Sequence, residues 1–360
     1  MAFTAQEIAN IANASLDFYY NKGDTFKQSI QAKPLLRYFE GTAKSFPGGK
    51  GNISLAVKGN YGAGGVNDHV VGYTHNDAVN FYTPANIARV NYPWREHHIG
   101  LTLTHTELKI DGISVTDPAG DGSSTANHSD REVTVLVDLL EDKLEDYGEM
   151  YARSMNALMW GDGTTDPKAL AGMQSIILDV PNTGTTGGLS RASNAWWQNR
   201  AATTAFGTAG GRGPIASNPA NGGALFQFLQ QEYRQLIRFG GRPTRFLAGS
   251  DFISALETEI RANGNYSMTG FTGSQDGKMG QVKFGSTVIE YDPTLDNLNF
   301  QKKGYWWDPR HIYLMKMDGE WDHKFTPARP YNQFVMYKSM THTGQIVAQQ
   351  LNSSLVVEIS

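Results

Sequence analysis

The sequence contains no cysteine among its 360 residues. That excludes disulfides, thiolate zinc sites and cysteine nucleophiles, and suits a reducing compartment. No apolar run approaches the ~20 residues needed to cross a bilayer. The opening residues, MAFTAQEIAN, lack the basic and apolar regions of a secretory signal. Charge of one sign is not in excess either. Lys and Arg number 31 against 35 Asp and Glu, a formal net charge of −4, so bulk electrostatics do not draw the chain to nucleic acid.

Motifs that carry chemistry are equally scarce. A phosphate loop fails because Lys44 stands where the first glycine belongs and Gly51 follows Gly49-Lys50. No G-x-S-x-G elbow is present. The loop from Asp117 resembles a calcium loop only superficially, with Ala119 in the third position and His128 in the twelfth. His97, His98 and His105 lie near Glu96 and Glu107. Alternation puts His97 and His105 on one strand face, too far apart to share a metal, so they read as strand or interface histidines. No catalytic residue, metal ligand or cofactor is assigned. Trp196-Trp197 and Trp306-Trp307 read as core anchors in preference to a stacking platform.

What is present is architecture. Glycine is abundant, at 39 residues, which predicts long turns and loops. The longest periodic run is Ser129–Gly163. Val133, Leu136, Val137, Leu140, Leu144, Tyr147, Tyr151, Met155 and Leu158 recur at helical spacing, Ser129 and Glu132 form a capping box, and Gly161 and Gly163 supply the stop. Asp138, Glu141, Asp142, Glu145, Asp146 and Glu149 occupy the other face. Such a face is either solvated or covered by a basic segment. The apolar side is expected to pack on the β-rich residues 311–359.

Before this helix, residues 4–20 read as an amphipathic helix capped by Thr4. Residues 21–50 read as a basic, weakly structured arm carrying Lys27, Lys33 and Arg37. Asn52–Lys58 alternates as a half-buried strand, and alternation resumes over Trp94–Leu108. The glycine- and asparagine-rich span between them predicts a long two-stranded projection. An isolated hairpin is marginal in water, so it must lie on something, and another subunit is the expected support. After the long helix, Leu170–Val180 is a short helix or strand, and residues 181–223 are loop-dominated. Leu225–Phe239 is a helix with Leu225, Phe228, Leu229, Leu236 and Ile237 on its apolar side. Thr244–Ala248 and Ser286–Tyr291 are strands flanking a helix over Asp251–Ala262. At the end, Asp318-Gly319 and Thr343-Gly344 predict two tight hairpins, and Leu355–Ile359 is a last strand.

That order of elements resembles the major capsid proteins of tailed bacteriophages, the Hong Kong 97-type fold also seen in encapsulin shells. The local patterns are ARVNYPWREHHIGLTLTHTEL (88–108), MNALMWGDGTTDPKALAGMQSII (155–177) and RFLAGSDFISALE (245–257). The resemblance implies an α+β chain with an N-terminal arm (1–49) and an E-loop hairpin (50–106). It implies a peripheral P-domain with the spine helix and a β-sheet (107–167 and 300–360), and an α/β axial A-domain (168–299). It further implies a non-enzymatic shell subunit that self-assembles as hexamers and pentamers around double-stranded DNA, within the virion and assembled in a bacterial cytoplasm. Scaffolding, portal and decoration proteins are the implied partners, with no membrane. The short stretch before the arm implies that any scaffold is a separate protein. An encapsulin-type nanocompartment is the alternative. Inter-subunit contact is expected at Lys27, Lys33, Arg37, Lys58, Glu141, Glu145 and Glu149. The isopeptide cross-link of some relatives is not carried over, because Lys58 lies in the first E-loop strand.

Overall fold

The computed structural model describes residues 3–4, 31–59, 72–78, 87–110, 115–116, 130–218, 223–262, 282–284, 287–325 and 335–360. The expected long helix runs Asp130–Trp160, 31 residues, about 45 Å at 1.5 Å per residue. Its described apolar face is buried at Tyr147, Tyr151, Met155, Met159 and Trp160. Tyr147 donates its hydroxyl to the Ile99 carbonyl at 3.0 Å, and the Tyr151 ring stacks on His342 with centroids 4.6 Å apart. The terminal β-rich segment is thus met by this face, as expected. Ser129 and the capping box lie outside the described residues.

A six-stranded sheet follows the order 282–284, 287–291, 245–248, 303–307, 355–358, 200–202. Arg245–Ala248 pairs parallel with Thr287–Tyr291, and the helix Ser250–Ala262 makes the crossover that parallel strands require. Both faces of this sheet are covered. Tyr305 and Trp307 enter the main core with Tyr151 and Trp160. Trp306, one residue out of phase, enters a second core with Phe228, Phe246 and Phe252. Burial on two sides suits the consecutive apolar residues Phe246–Ala248, Tyr305–Trp307 and Leu355–Val357. Strands 303–307 and 355–358 complete this sheet, so the expected boundary at 299/300 cuts through a hydrogen-bonded layer. The tryptophan pairs are anchors: Trp197, Trp306 and Trp307 are each 1% exposed.

The four-stranded sheet has the order 44–46, 312–325, 335–348, 95–104. Here two expectations fail. Ile312–Phe325 and Val335–Ala348 are each one continuous strand, paired antiparallel with each other. Asp318-Gly319 is a bulge instead of a turn. The register moves from Lys316↔Gly344 to Trp321↔His342, leaving residues on the first strand unopposed, and Gly319 takes φ +76° there. Left-handed glycine serves a bulge as well as a turn. Thr343-Gly344 stays in the strand.

The projection also differs from expectation. Asn52–Lys58 pairs with Ile87–Pro93, and the chain then breaks at Trp94. The second half, Arg95–Thr104, leaves the hairpin and pairs with Val335–Ala348. It ends at Thr104, and His105 begins a short helix, so His97 and His105 do not share a strand face. Ile53, Val57, Val90 and Tyr92 are buried in the chain's own main core, so the hairpin root needs no second subunit. The arm is more ordered than expected: Pro34–Thr42 is a helix with proline in its first turn, where the missing N–H is harmless. Thr4 lies in a two-residue strand paired with Val115–Thr116, and residues 5–30 lie outside the described set.

One buried polar network ties these parts together. Asn156 on the long helix is fully buried. Its Oδ1 accepts the Leu36 N–H of the arm helix at 2.9 Å, and its Nδ2 donates to Thr294 Oγ1 at 2.6 Å. Asp292, also fully buried, accepts Trp160 Nε1 at 2.7 Å and the Thr294 N–H at 2.9 Å. Burial raises the Asp292 carboxyl above its usual range, and the hydrogen bonds from Trp160, Thr294 and Asn156 offset part of that rise. Replacing Asn156 with leucine strands a buried N–H and a buried hydroxyl, so Asn156→Leu is expected to cost about 1–3 kcal/mol. Denaturant unfolding measures this; an unchanged midpoint would show that the network is dispensable.

Candidate assembly interface

The arm helix is clasped to the body by two ion-pair groups. Lys33 Nζ lies 2.8 Å from Glu149 Oε2 on the long helix, with the lysine side chain only 5% exposed. Glu149 Oε1 takes Arg153 at 2.7 Å. Farther along, Arg37 pairs with Glu290 at 2.7 Å, and Tyr38 donates its hydroxyl to the same carboxylate. Arg245 lies over the Tyr38 ring, 3.9 Å from its centroid. Of the expected contact residues, the structure therefore joins Lys33 to Glu149 within one chain and gives Arg37 to Glu290. Lys58 stands exposed at the end of its strand. Lys27 and the side chains of Glu141 and Glu145 lie outside the described residues.

The hairpin root is gripped from below by residues 184–199. The Asn91 N–H donates to the Gly187 carbonyl at 2.8 Å. A Cβ on Gly187 would meet Val90 at 2.8 Å, so only glycine allows this approach. Arg191 holds that segment in shape. Fully buried, it donates to Thr186 Oγ1 at 2.8 Å, to Asn199 Oδ1 at 2.6 Å and to the Ile176 carbonyl. Burial lowers its pKa to about 10. The described piece of the hairpin tip, residues 72–78, is exposed throughout. Asp77 there accepts the Thr74 N–H and hydroxyl at 2.8 and 2.9 Å, and Tyr73 is 68% exposed.

The helix Ala224–Ile237 presents a second surface. Its N-terminus is held by Glu259, fully buried, which accepts the Leu225 and Phe226 N–H groups at 3.2 and 2.9 Å. A carboxylate there complements the helix dipole. Ile237, expected in the core, is 41% exposed, and Phe239 is 62% exposed. The helix ends before either can turn inward, with Gly240 at φ +82°.

His97 and His342 play structural parts. His97 Nε2 accepts the Leu170 N–H at 2.9 Å, and burial lowers its pKa. His342 Nε2 lies 2.7 Å from Asp322 Oδ1. Among the described residues, no group of three or more acidic or histidine side chains is placed to hold a metal. Arg191, Glu259, Asn156 and Asp292 were invisible as partners in the sequence, because each is a lone polar residue whose acceptors or donors come from distant segments.

No protein-family model matches the chain, and no curated protein matches it. Solved structures do. The capsid asymmetric unit of cyanophage A-1(L) superposes with a TM-score of 0.61 at 12% identity, covering 91% of this chain and 93% of that one. The fold is the Hong Kong 97-type capsid fold. The capsid of a native GTA particle gives a TM-score of 0.53 at 10% identity over 92% of this chain and 93% of that one. Mycobacterium phage Bobi gives 0.51 at 12% identity over 92% and 95%. The long helix Asp130–Trp160 and the hairpin built on Asn52–Lys58 and Ile87–Pro93 are the elements for which the resemblance supplies the names spine and E-loop.

The arm clasp has a pH signature. Burial alone would raise the Glu149 carboxyl, but Lys33 and Arg153 outweigh it, and its pKa falls below the usual value. A depressed carboxylate contributes stability above its unfolded pKa, near 4.3, and loses it as pH falls through the folded pKa. Glu149→Gln is therefore expected to cost about 1 kcal/mol at pH 7, allowing for partial exposure. The gap from wild type should close below that window. Thermal unfolding from neutral to acid pH tests this; a gap independent of pH contradicts it.

Proposed function

We propose that this chain is a structural shell subunit, the major capsid protein of a tailed-phage type of particle. In this reading it self-assembles into hexamers and pentamers around double-stranded DNA. The observation that carries the reading is the match in fold, at a TM-score of 0.61 over 91% of the chain, to a subunit of a cyanophage capsid. Two features of the molecule support it. The E-loop tip stands exposed, beyond a root already anchored in its own core. Elsewhere the chain is held by buried networks, which lets one rigid body occupy several slightly different environments. The reading assigns the protein no enzymatic role.

In the same reading the arm, E-loop, P-domain and A-domain divide the chain as the resemblance implies, with strands 303–307 and 355–358 shared with the A-domain sheet. Scaffolding, portal and decoration proteins are its partners, and it resides in the virion after assembly in the host cytoplasm. Lys27, Lys58, Glu141 and Glu145 remain candidates for contact between subunits. Lys33, Arg37 and Glu149 form ion pairs of the arm clasp within one chain.

Sedimentation and negative-stain microscopy of the purified chain test the proposal. Closed shells or capsomers are expected; monomers under all salt and concentration conditions would refute it. Shells filled with a protein cargo in place of nucleic acid would favour the nanocompartment alternative. Glu141→Lys with Glu145→Lys should leave a folded subunit whose assembly is impaired. Glu149 is kept, since its reversal would break the clasp. Normal shells from the double variant would remove the acidic helix face from the contact.

A further inference from the structure

The end of the helix Ala224–Ile237 and the residues just after it carry arginines without an acidic partner among the described residues. Arg234, Arg238 and Arg242 are exposed. None of the three has an acidic partner among the described residues, whereas nearby Arg310 pairs with buried Asp308 at 2.6 Å. The exposed Ile237 and Phe239 lie among them, with the Arg238 guanidinium 5.4 Å from the Phe239 ring centroid. The patch is firmly held. The Arg242 N–H donates to Asp308 Oδ2 at 2.7 Å, and the Phe239 carbonyl accepts Gln350 Nε2 at 3.4 Å.

A surface of opposite sign lies on the spine helix. Asp146 is exposed and has no cationic partner among the described residues. Met150, one turn on, is 50% exposed. Asp142 stands four positions before Asp146 in the sequence. Two neighbouring carboxylates with described side chains are already engaged, Glu149 by Lys33 and Arg153 and Glu107 by Lys143.

We infer that these two surfaces meet between two copies of the chain: the Arg238–Phe239 patch of one subunit docks on the Asp146–Met150 row of the next. The inference rests on the shell reading and names a contact within it. Each surface pairs an apolar centre with unmatched charge, and the signs are opposite. The exposed isoleucine and phenylalanine favour a protein partner, because arginine and aromatic residues concentrate at such contacts, whereas a phosphate backbone offers no apolar surface to bury. Because the two surfaces differ, the contact is head-to-tail, the kind that forms a ring when its rotation closes.

The absence of cysteine makes the test direct. A chain carrying Arg238→Cys and Asp146→Cys is assembled, oxidised or treated with a short bismaleimide, and run on a denaturing gel. A second chain carries Phe239→Cys and Met150→Cys. Each double variant is expected to give a ladder of covalent oligomers that its single variants do not. In parallel, the triple change Arg234→Glu, Arg238→Glu and Arg242→Glu should cut the assembled fraction at low salt about tenfold or more, since like charges oppose across an interface. Adding Asp142→Lys and Asp146→Lys should recover most of that loss. Shells that form but give no ladder, with reversal variants that assemble normally, overturn this contact while leaving the shell reading intact. A wild-type chain that never assembles overturns the shell reading itself. Should the reversal variants fail to fold, the cysteine ladders decide alone.

Discussion

A fully buried asparagine and a fully buried aspartate hold this subunit together. Asn156 and Asp292 are expensive to bury, and each is stable only while its donors and acceptors are all in place. Those partners come from three separated stretches: the arm helix through the Leu36 N–H, the spine helix through Trp160, and the short helix Pro293–Asn297, between two strands of the six-stranded sheet, through Thr294. An apolar contact tolerates sliding, but a network of directed hydrogen bonds does not. The junction therefore fixes the arm, the spine and the sheet relative to one another.

The rest of the architecture hangs from this point. The spine lies on the four-stranded sheet through Tyr147 and Tyr151, and that sheet takes in the returning E-loop strand. The E-loop root is gripped by Gly187 and, through Arg191, by residues 176–199. Burial falls away from this centre: Ile53 and Val90 at the root are buried, and Tyr73 near the tip is 68% exposed. A stiff interior with exposed extremities fits the proposed shell role, in which neighbours would differ slightly from site to site while the body stays the same.

Elements with strong local signals were legible in the sequence. The spine helix, the helix Ala224–Ile237 and three strands of the six-stranded sheet, 245–248, 287–291 and 355–358, follow from local pattern, whereas its strands 200–202, 282–284 and 303–307 do not. The terminal hairpins did not, because Asp-Gly marks a reversal of φ and not its use. Whether Gly319 turns the chain or bulges it depends on the partner strand, which only the register against Val335–Ala348 supplies. One missed element did carry a signal: Thr104 and Glu107 form a reciprocal cap at 3.1 and 3.3 Å on the helix His105–Ile110, at capping-box spacing. The clasp between Lys33 and Glu149 spans 116 positions, and no local pattern announces a pairing at that distance. The acidic spine face was visible, but its division into engaged and free carboxylates was not.

The most direct test of this account is a cryo-electron microscopy reconstruction of the assembled particle, with each symmetry-distinct copy of the chain refined independently. The account predicts that the Leu36–Asn156–Thr294 and Trp160–Asp292 hydrogen bonds superpose in every copy, while the E-loop tips take different angles from copy to copy. Copies in which the arm helix has swung away from Asn156, with the E-loops unchanged, would contradict it.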